Sequence, residues 1–210
     1  IAFATLAVLC GFGSVCAAQE PARRPVSFDS EIIRLFVEPD TLEVEGIYLL
    51  LCDPERIDQV PLFYPYPDRE YLGEAHTVLL EARPPGGQWR ELRFAEYPGR
   101  RSLPSGDILG GARWWVPLTL GDSLEVRTVY RQALRDSCAT YIVRTTSAWG
   151  RPLENARFEI HLPESYVPVE FSFPFRQVHA PEGTYYLYEA SKFMPSRDID
   201  VCWRPGEGRE

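Results

Sequence analysis

The sequence predicts an all-β fold: an antiparallel two-sheet β-sandwich of about ten strands with little helix. Three observations predict it. Short apolar runs alternate with charged residues at a period of two. Nineteen Pro and 15 Gly interrupt those runs at close, regular intervals, as turns between sandwich strands require. No window carries a sustained helical stripe. An immunoglobulin-like arrangement is the expected class. The 210 residues are 45% hydrophobic and 25% charged, which excludes a disordered or collagenous chain. A net charge of −8 argues against a nucleic-acid partner, because phosphate neutralisation needs a dense basic surface.

The first element is of a different material from the rest. Residues 1–18 carry no charge, and 14 of them are apolar. The run ends in Cys16-Ala17-Ala18 and resembles the apolar core and cleavage site of a secretory signal peptide whose basic start lies upstream. An uncleaved anchor is the alternative, since roughly 18 apolar residues can just span a bilayer. Export to the periplasm or the extracellular space is therefore expected, with no membrane contact beyond this segment. Residues 19–30 read as a polar lead-in, 31–205 as one sandwich domain and 206–210 as a tail. Cleavage leaves Cys52, Cys138 and Cys202, enough for one disulfide and one thiol, with three pairings open. No CxxC occurs, so neither a zinc ribbon nor a thioredoxin-type site is supported.

The strands follow in order. Residues 32–37 are extended up to Pro39-Asp40. Leu42, Val44 and Gly46 alternate with Glu43 and Glu45, and the strand turns wholly apolar over 47–51. Residues 77–83 and 88–94 flank Pro84-Pro85-Gly86-Gly87 as a hairpin. Residues 114–118 read as an edge strand, where Pro117 costs no ladder bond. Leu124, Val126, Thr128 and Tyr130 alternate with charged residues, and 131–136 has room for one short turn. Residues 141–146, 156–162, 185–190 and 199–203 complete the set. Residues 60–66 echo 167–175 in mixing aromatics with proline, as a duplication or as edge packing would.

Chemistry is sparse. Gly121-Asp122-Ser123-Leu124 spells a lipase/esterase signature, but His76, His161 and His179 all lack the Asp three residues earlier that such a site needs. Gly-Asp-Ser between strands is ordinary turn chemistry. Glu159 and His161 share a strand face, with His179 as a third ligand for a metal, but an outward strand face explains them as well. Asp53, Glu55 and Asp58, and the pair Asp198 and Asp200, read as solvated acids rather than calcium ligands. Carboxylate pairs for glycoside hydrolysis exist among 30 acids, and nothing singles one out. No phosphate loop or dinucleotide fingerprint occurs. No catalytic residue, metal or cofactor is therefore expected. Of 22 basic residues, Lys192 is the only lysine; the 21 arginines lie between acids and read as a mixed solvated surface.

Aromatic residues are the strongest remaining feature. Trp114 and Trp115 must point to opposite faces of a strand, so one faces the core and one faces solvent. With Tyr64, Tyr66 and Tyr71 they form the candidate ligand or partner surface. The segment 42–67 with Leu62-Phe63-Tyr64-Pro65-Tyr66-Pro67, the run 130–163 with Ser147-Ala148-Trp149-Gly150, and the closing Phe193-Met194-Pro195-Ser196-Arg197-Asp198-Ile199 resemble uncharacterised exported all-β proteins of the bacterial envelope. That resemblance implies an envelope setting and no activity. The expected function is a non-catalytic interaction or structural module with a protein or glycan partner. The alternatives are a carbohydrate-binding module using exposed Trp and Tyr, and a hydrolase with a carboxylate site not evident in the sequence.

Overall fold

The computed structural model describes residues 26–52, 59–103, 106–117, 122–181 and 183–206, and these are mostly strand. Eight strands make one sheet: β1 (Val26–Val37), β2 (Thr41–Cys52), β4 (Leu72–Arg83), β5 (Arg90–Glu91), β8 (Ser123–Leu134), β10 (Leu153–His161), β12 (Arg176–Ala180) and β13 (Gly183–Phe193). Their order is β12-β13-β10-β1-β2-β8-β4-β5. A second sheet has β3 (Gln59–Pro67), β7 (Gly106–Pro117) and β6 (Phe94–Leu103) in that order. A third has β11 (Tyr166–Phe171), β14 (Ile199–Pro205) and β9 (Cys138–Tyr141).

The all-β class is as expected, but the layers are not those of a plain two-sheet antiparallel sandwich. The large sheet is mixed, because β1 and β10 pair in parallel, with Ile33 opposite Phe158 and Leu35 opposite Ile160. One face of that sheet packs against both small sheets. Leu35, Val44, Leu50, Val126, Tyr130 and Phe158 share one buried cluster with Leu62 and Trp114 of the second sheet and Tyr141, Val201 and Trp203 of the third. Alternation explains the face: positions 33, 35 and 37 on β1 lie beside 46, 44 and 42 on β2. Burying each such aliphatic side chain contributes roughly 1.5–3 kcal/mol.

The opposite face of the large sheet orders its charges. Glu81, Arg127, Glu45, Arg34, Glu159, Arg157, Glu189 and Arg176 form a single alternating line of ion pairs, each link 2.6–3.6 Å long. The line crosses seven strands, from β4 to β12. Arginine suits this role because its planar fork reaches two carboxylates at once. Four of the 21 arginines are thus ordered into a ladder along one face.

Four local expectations change. Trp114 and Trp115 sit on the central strand of their sheet, not an edge, since β7 pairs with both β3 and β6. β8 continues through residues 131–134 instead of turning. There the buried Gln132 amide donates to the carbonyls of Pro67 and Gly73 at 2.9 and 3.1 Å. The expected strand over 141–146 stops at Tyr141, and a 3-10 turn (Arg144–Trp149) follows. Asp198 causes the break: its carboxylate accepts the Val143 and Arg144 amides at 3.3 Å each and the Arg144 guanidinium at 2.9 Å. The 88–94 arm of the hairpin shrinks to β5, whose two residues pair with Ala82 and Glu81 across the Pro84–Gly87 turn.

The disulfide joins Cys138 to Cys202 across β9 and β14, and Cys52 is free. Burial, and then the nearby Asp122 charge, push the Cys52 thiol up to about 11, which keeps it unreactive. Ser123 opens β8 opposite Leu51, and the Asp122 carbonyl accepts the Cys52 amide at 2.8 Å, which extends the β2–β8 ladder by one residue. The echoing segments around 60–66 and 167–175 both include an edge strand, β3 and β11, of a three-stranded sheet. Asp53, Glu55, Asp58 and the segment 1–25 lie outside the described residues.

Candidate functional site

The inner face of β1 carries one residue that does not belong in a core. Val26, Ile33, Leu35 and Val37 are buried, and Glu31 falls on the same face. It is 6% exposed, and its Oε1 atom has no hydrogen-bond partner among the described residues. Its strand neighbours are Tyr48 on β2 and Ala156 on β10. Burial alone pushes this carboxyl up to about 8, so it is protonated at neutral pH.

Above Glu31 the layers leave a cavity of about 260 Å³. That is slightly below the range of roughly 300–1,000 Å³ usual for small-molecule sites. The floor comes from Phe28, Glu31 and Tyr48, one wall from the β3 segment 61–65, and the other from Tyr141, Ile142 and the 3-10 turn with Thr145, Thr146 and Trp149. β3 is an edge strand. Its Pro61 and Pro65 bring carbonyl acceptors and no amide donor to that rim.

Aromatic rings supply most of the surface. Tyr48 reclines over Gly46, where an added Cβ would meet the ring at 2.3–2.7 Å, so only glycine admits this pose. The pose aims the Tyr48 hydroxyl at Tyr64 (3.1 Å) and Tyr141 (2.8 Å), joining all three sheets through three phenols. Burial raises all three phenols above their ordinary pKa, so they stay neutral. Phe28 meets Tyr48 and Trp149 edge-on, with centroids 5.5 and 4.5 Å apart. Trp114 also lines the cavity, and its Nε1 is buried without a hydrogen bond.

The five aromatic candidates from the sequence go to three places. Tyr64 and Trp114 line the cavity. Trp115 faces outward at 48% exposure, with the Arg113 guanidinium 5.3 Å from its ring. Phe63, 40% exposed, shares that outer face. Tyr66 and Tyr71 are spent on structure: the first bonds Thr77 and Glu96, the second Thr140. Glu159 is held in the ion-pair ladder, with His161 Nε2 3.6 Å away and its ring stacked on Phe36 and Tyr185. His179 instead bonds Thr184. Asp198 is taken by Arg69 and Arg144, and Asp200 by Thr140. Among the described residues no group of three or more His, Cys, Asp or Glu is placed to hold a metal.

Sequence reading missed Glu31. The alternation of Ile33, Leu35 and Val37 extends back to position 31, but the strand predicted from residue 32 stops one residue short of it.

No family model matches the chain, and no curated protein matches it in sequence. Solved structures do match in fold. A Legionella pneumophila protein described as a "putative nutrient binding protein" aligns with a TM-score of 0.54 at 12% identity, over 85% of this chain and 67% of that one. A "putative protease" from Parabacteroides distasonis and an M1 zinc metallopeptidase from Deinococcus radiodurans align at TM-scores of 0.42 and 0.46, each at 12% identity. The chain covers 89% and 86% of itself in these two alignments but only 37% and 43% of those proteins. At such identities the likeness is one of fold.

Proposed function

We propose that the protein is a non-catalytic binding module, exported to the cell envelope, whose cavity over Glu31 receives a small ligand. The observation that carries this reading is a buried carboxyl at the floor of an aromatic cavity, one oxygen of which has no hydrogen-bond partner among the described residues. Leaving a polar group buried without a partner costs free energy, and a site that keeps one has a use for it. Catalysis is the poorer reading. Glycoside hydrolysis needs two carboxylates, and Glu31 is the only carboxyl among the described lining residues. That lining also holds no His, Ser, Cys, Lys or Arg to act as nucleophile or base. The Legionella protein described as a "putative nutrient binding protein" accords with this reading, but the cavity carries it, since shared fold does not imply shared function.

The test is a ligand-observed fragment screen with neutral, cationic and anionic compounds, followed by tryptophan fluorescence. Hits in at least one charge class should change the fluorescence, and the change should shrink in Trp149→Phe. A screen in which no class binds overturns the reading. A second reading, glycan binding, has its own observation in the outward Trp115 and Phe63. Soluble glycans that quench fluorescence in a Trp115-dependent way would support it.

A further inference from the structure

We propose that the ligand of the cavity is a small organic cation, an alkylammonium group that pairs with Glu31 and rests against the faces of Phe28, Tyr48, Tyr64 and Trp149. This rests on the reading of the cavity as a binding site and names its ligand class.

Two independent features of the lining point to a cation. The first is charge. Glu31 is the only ionisable acid among the described lining residues, and no Arg, Lys or His accompanies it. An anion would meet an acid and no counter-charge. The second is the aromatic surface. Ring faces attract cations through their quadrupole, most strongly when water is excluded, and rings with a carboxylate are the usual recognition set for quaternary ammonium groups. Pro61 and Pro65 bring no amide donor, and the Tyr48, Tyr64 and Tyr141 hydroxyls are bonded to one another. The remaining donors, among them the Thr145 and Thr146 hydroxyls and the Trp114 indole, are neutral and give an anion no counter-charge. The outer face shows the same pairing completed from within: Glu43, Glu45, Glu81, Glu125, Glu159 and Glu189 each hold an arginine. Glu31 has the acid's half of that pair, and no described residue supplies the cation.

The exchange balances in protons. The empty site holds the neutral acid, and the bound site holds carboxylate and ammonium, so each cation bound releases one proton to solvent. No bond other than the acid O–H breaks. The titratable groups facing Glu31 are the phenols of Tyr48 on β2, Tyr64 on β3 and Tyr141 on β9, all neutral through this range. β7, β8, β10 and the 3-10 turn present no titratable group to the cavity among the described residues. Affinity for the cation therefore rises about tenfold per pH unit below the carboxyl's own pKa and levels off above it.

The experiment titrates the full chain with tetramethylammonium chloride and with its neutral isostere tert-butanol at fixed ionic strength. Tetramethylammonium should bind more tightly as pH rises, level off above about 8, and release one proton in calorimetry run in buffers of different ionisation enthalpy. The isostere should bind at least about tenfold more weakly, with no rise in affinity as the pH is raised. Glu31→Gln should weaken the cation about tenfold or more and flatten its pH profile, leaving tert-butanol unchanged. If the variant does not fold, the wild-type pH profile and proton release decide alone. Equal binding of both probes, or cation affinity that does not rise with pH, overturns the cation while the cavity reading stands. Failure of both probes and of every fragment class overturns both.

Discussion

The two faces of the large sheet treat carboxylates in opposite ways. On the outer face, Glu45 lies between Arg34 and Arg127, and Glu159 lies between Arg157 and Arg34. Partial burial pushes both acids up, but the hydrogen bonds and charges of those arginines outweigh it and hold them below the usual carboxylate range. On the inner face Glu31 has burial and no arginine among the described residues, and it is pushed the other way. The contrast teaches that desolvation is common to both faces and that the partner decides the sign. It also gives the faces opposite pH windows. Glu45 and Glu159 strengthen the fold at neutral pH, and that contribution is lost as pH falls below the 4.5 of an ordinary glutamate through their lowered values. Glu31 penalises the fold only once the unfolded chain ionises, as pH rises from about 4.5 towards about 8.

Three variants break or sharpen the comparison. The largest effect is expected from Asp198→Ala. This acid is as buried as Glu31 yet is paired with Arg69 and Arg144, and it caps the turn that walls the cavity. Its removal should destabilise the protein by about 3–5 kcal/mol in urea unfolding, since it strands two guanidinium groups and two amides. Glu31→Gln should do the reverse. At pH 8 it should stabilise by on the order of a few kcal/mol, because the unfolded wild-type acid gains its charge freely and the folded one does not. The gain should vanish near pH 4.5, and equal melting temperatures for wild type and variant across the whole range would contradict the unpaired acid. The smallest effect belongs to Glu45→Gln, about 1 kcal/mol destabilising at low salt. Added salt should shrink it, as it does for partly exposed pairs, and a salt-independent loss would mean that packing rather than charge holds the ladder.

Much of the fold was legible because alternation is a local property. β2, β8, β10, β13 and β14 could be read from period-two patterns, and the split of Trp114 from Trp115 needed only strand geometry. β6 and β12 were missed because their charged, proline- or histidine-bearing segments lack an apolar period. The turn after Tyr141 was missed for another reason: its cause, Asp198, lies 55 residues away. The cavity was illegible on the same ground. Glu31, Tyr64 and Tyr141 come from three different sheets, and no spacing along the chain announces that they meet. Among 30 acids, one becomes distinctive only when its face is known.

The parallel seam between β1 and β10 sets a schedule for synthesis. Arg34 and its partner Glu159 are 125 residues apart, so the middle of the sheet cannot close until that length has been made. At a ribosomal pace of ~5–20 residues per second, β1 waits on the order of 6–25 s for its neighbour. Through that interval the strand shows an unpaired edge, the feature most open to pairing with another chain. Its side chains meanwhile include Glu31 and Arg34 beside the aliphatic ones, and those charges oppose such pairing until β10 arrives.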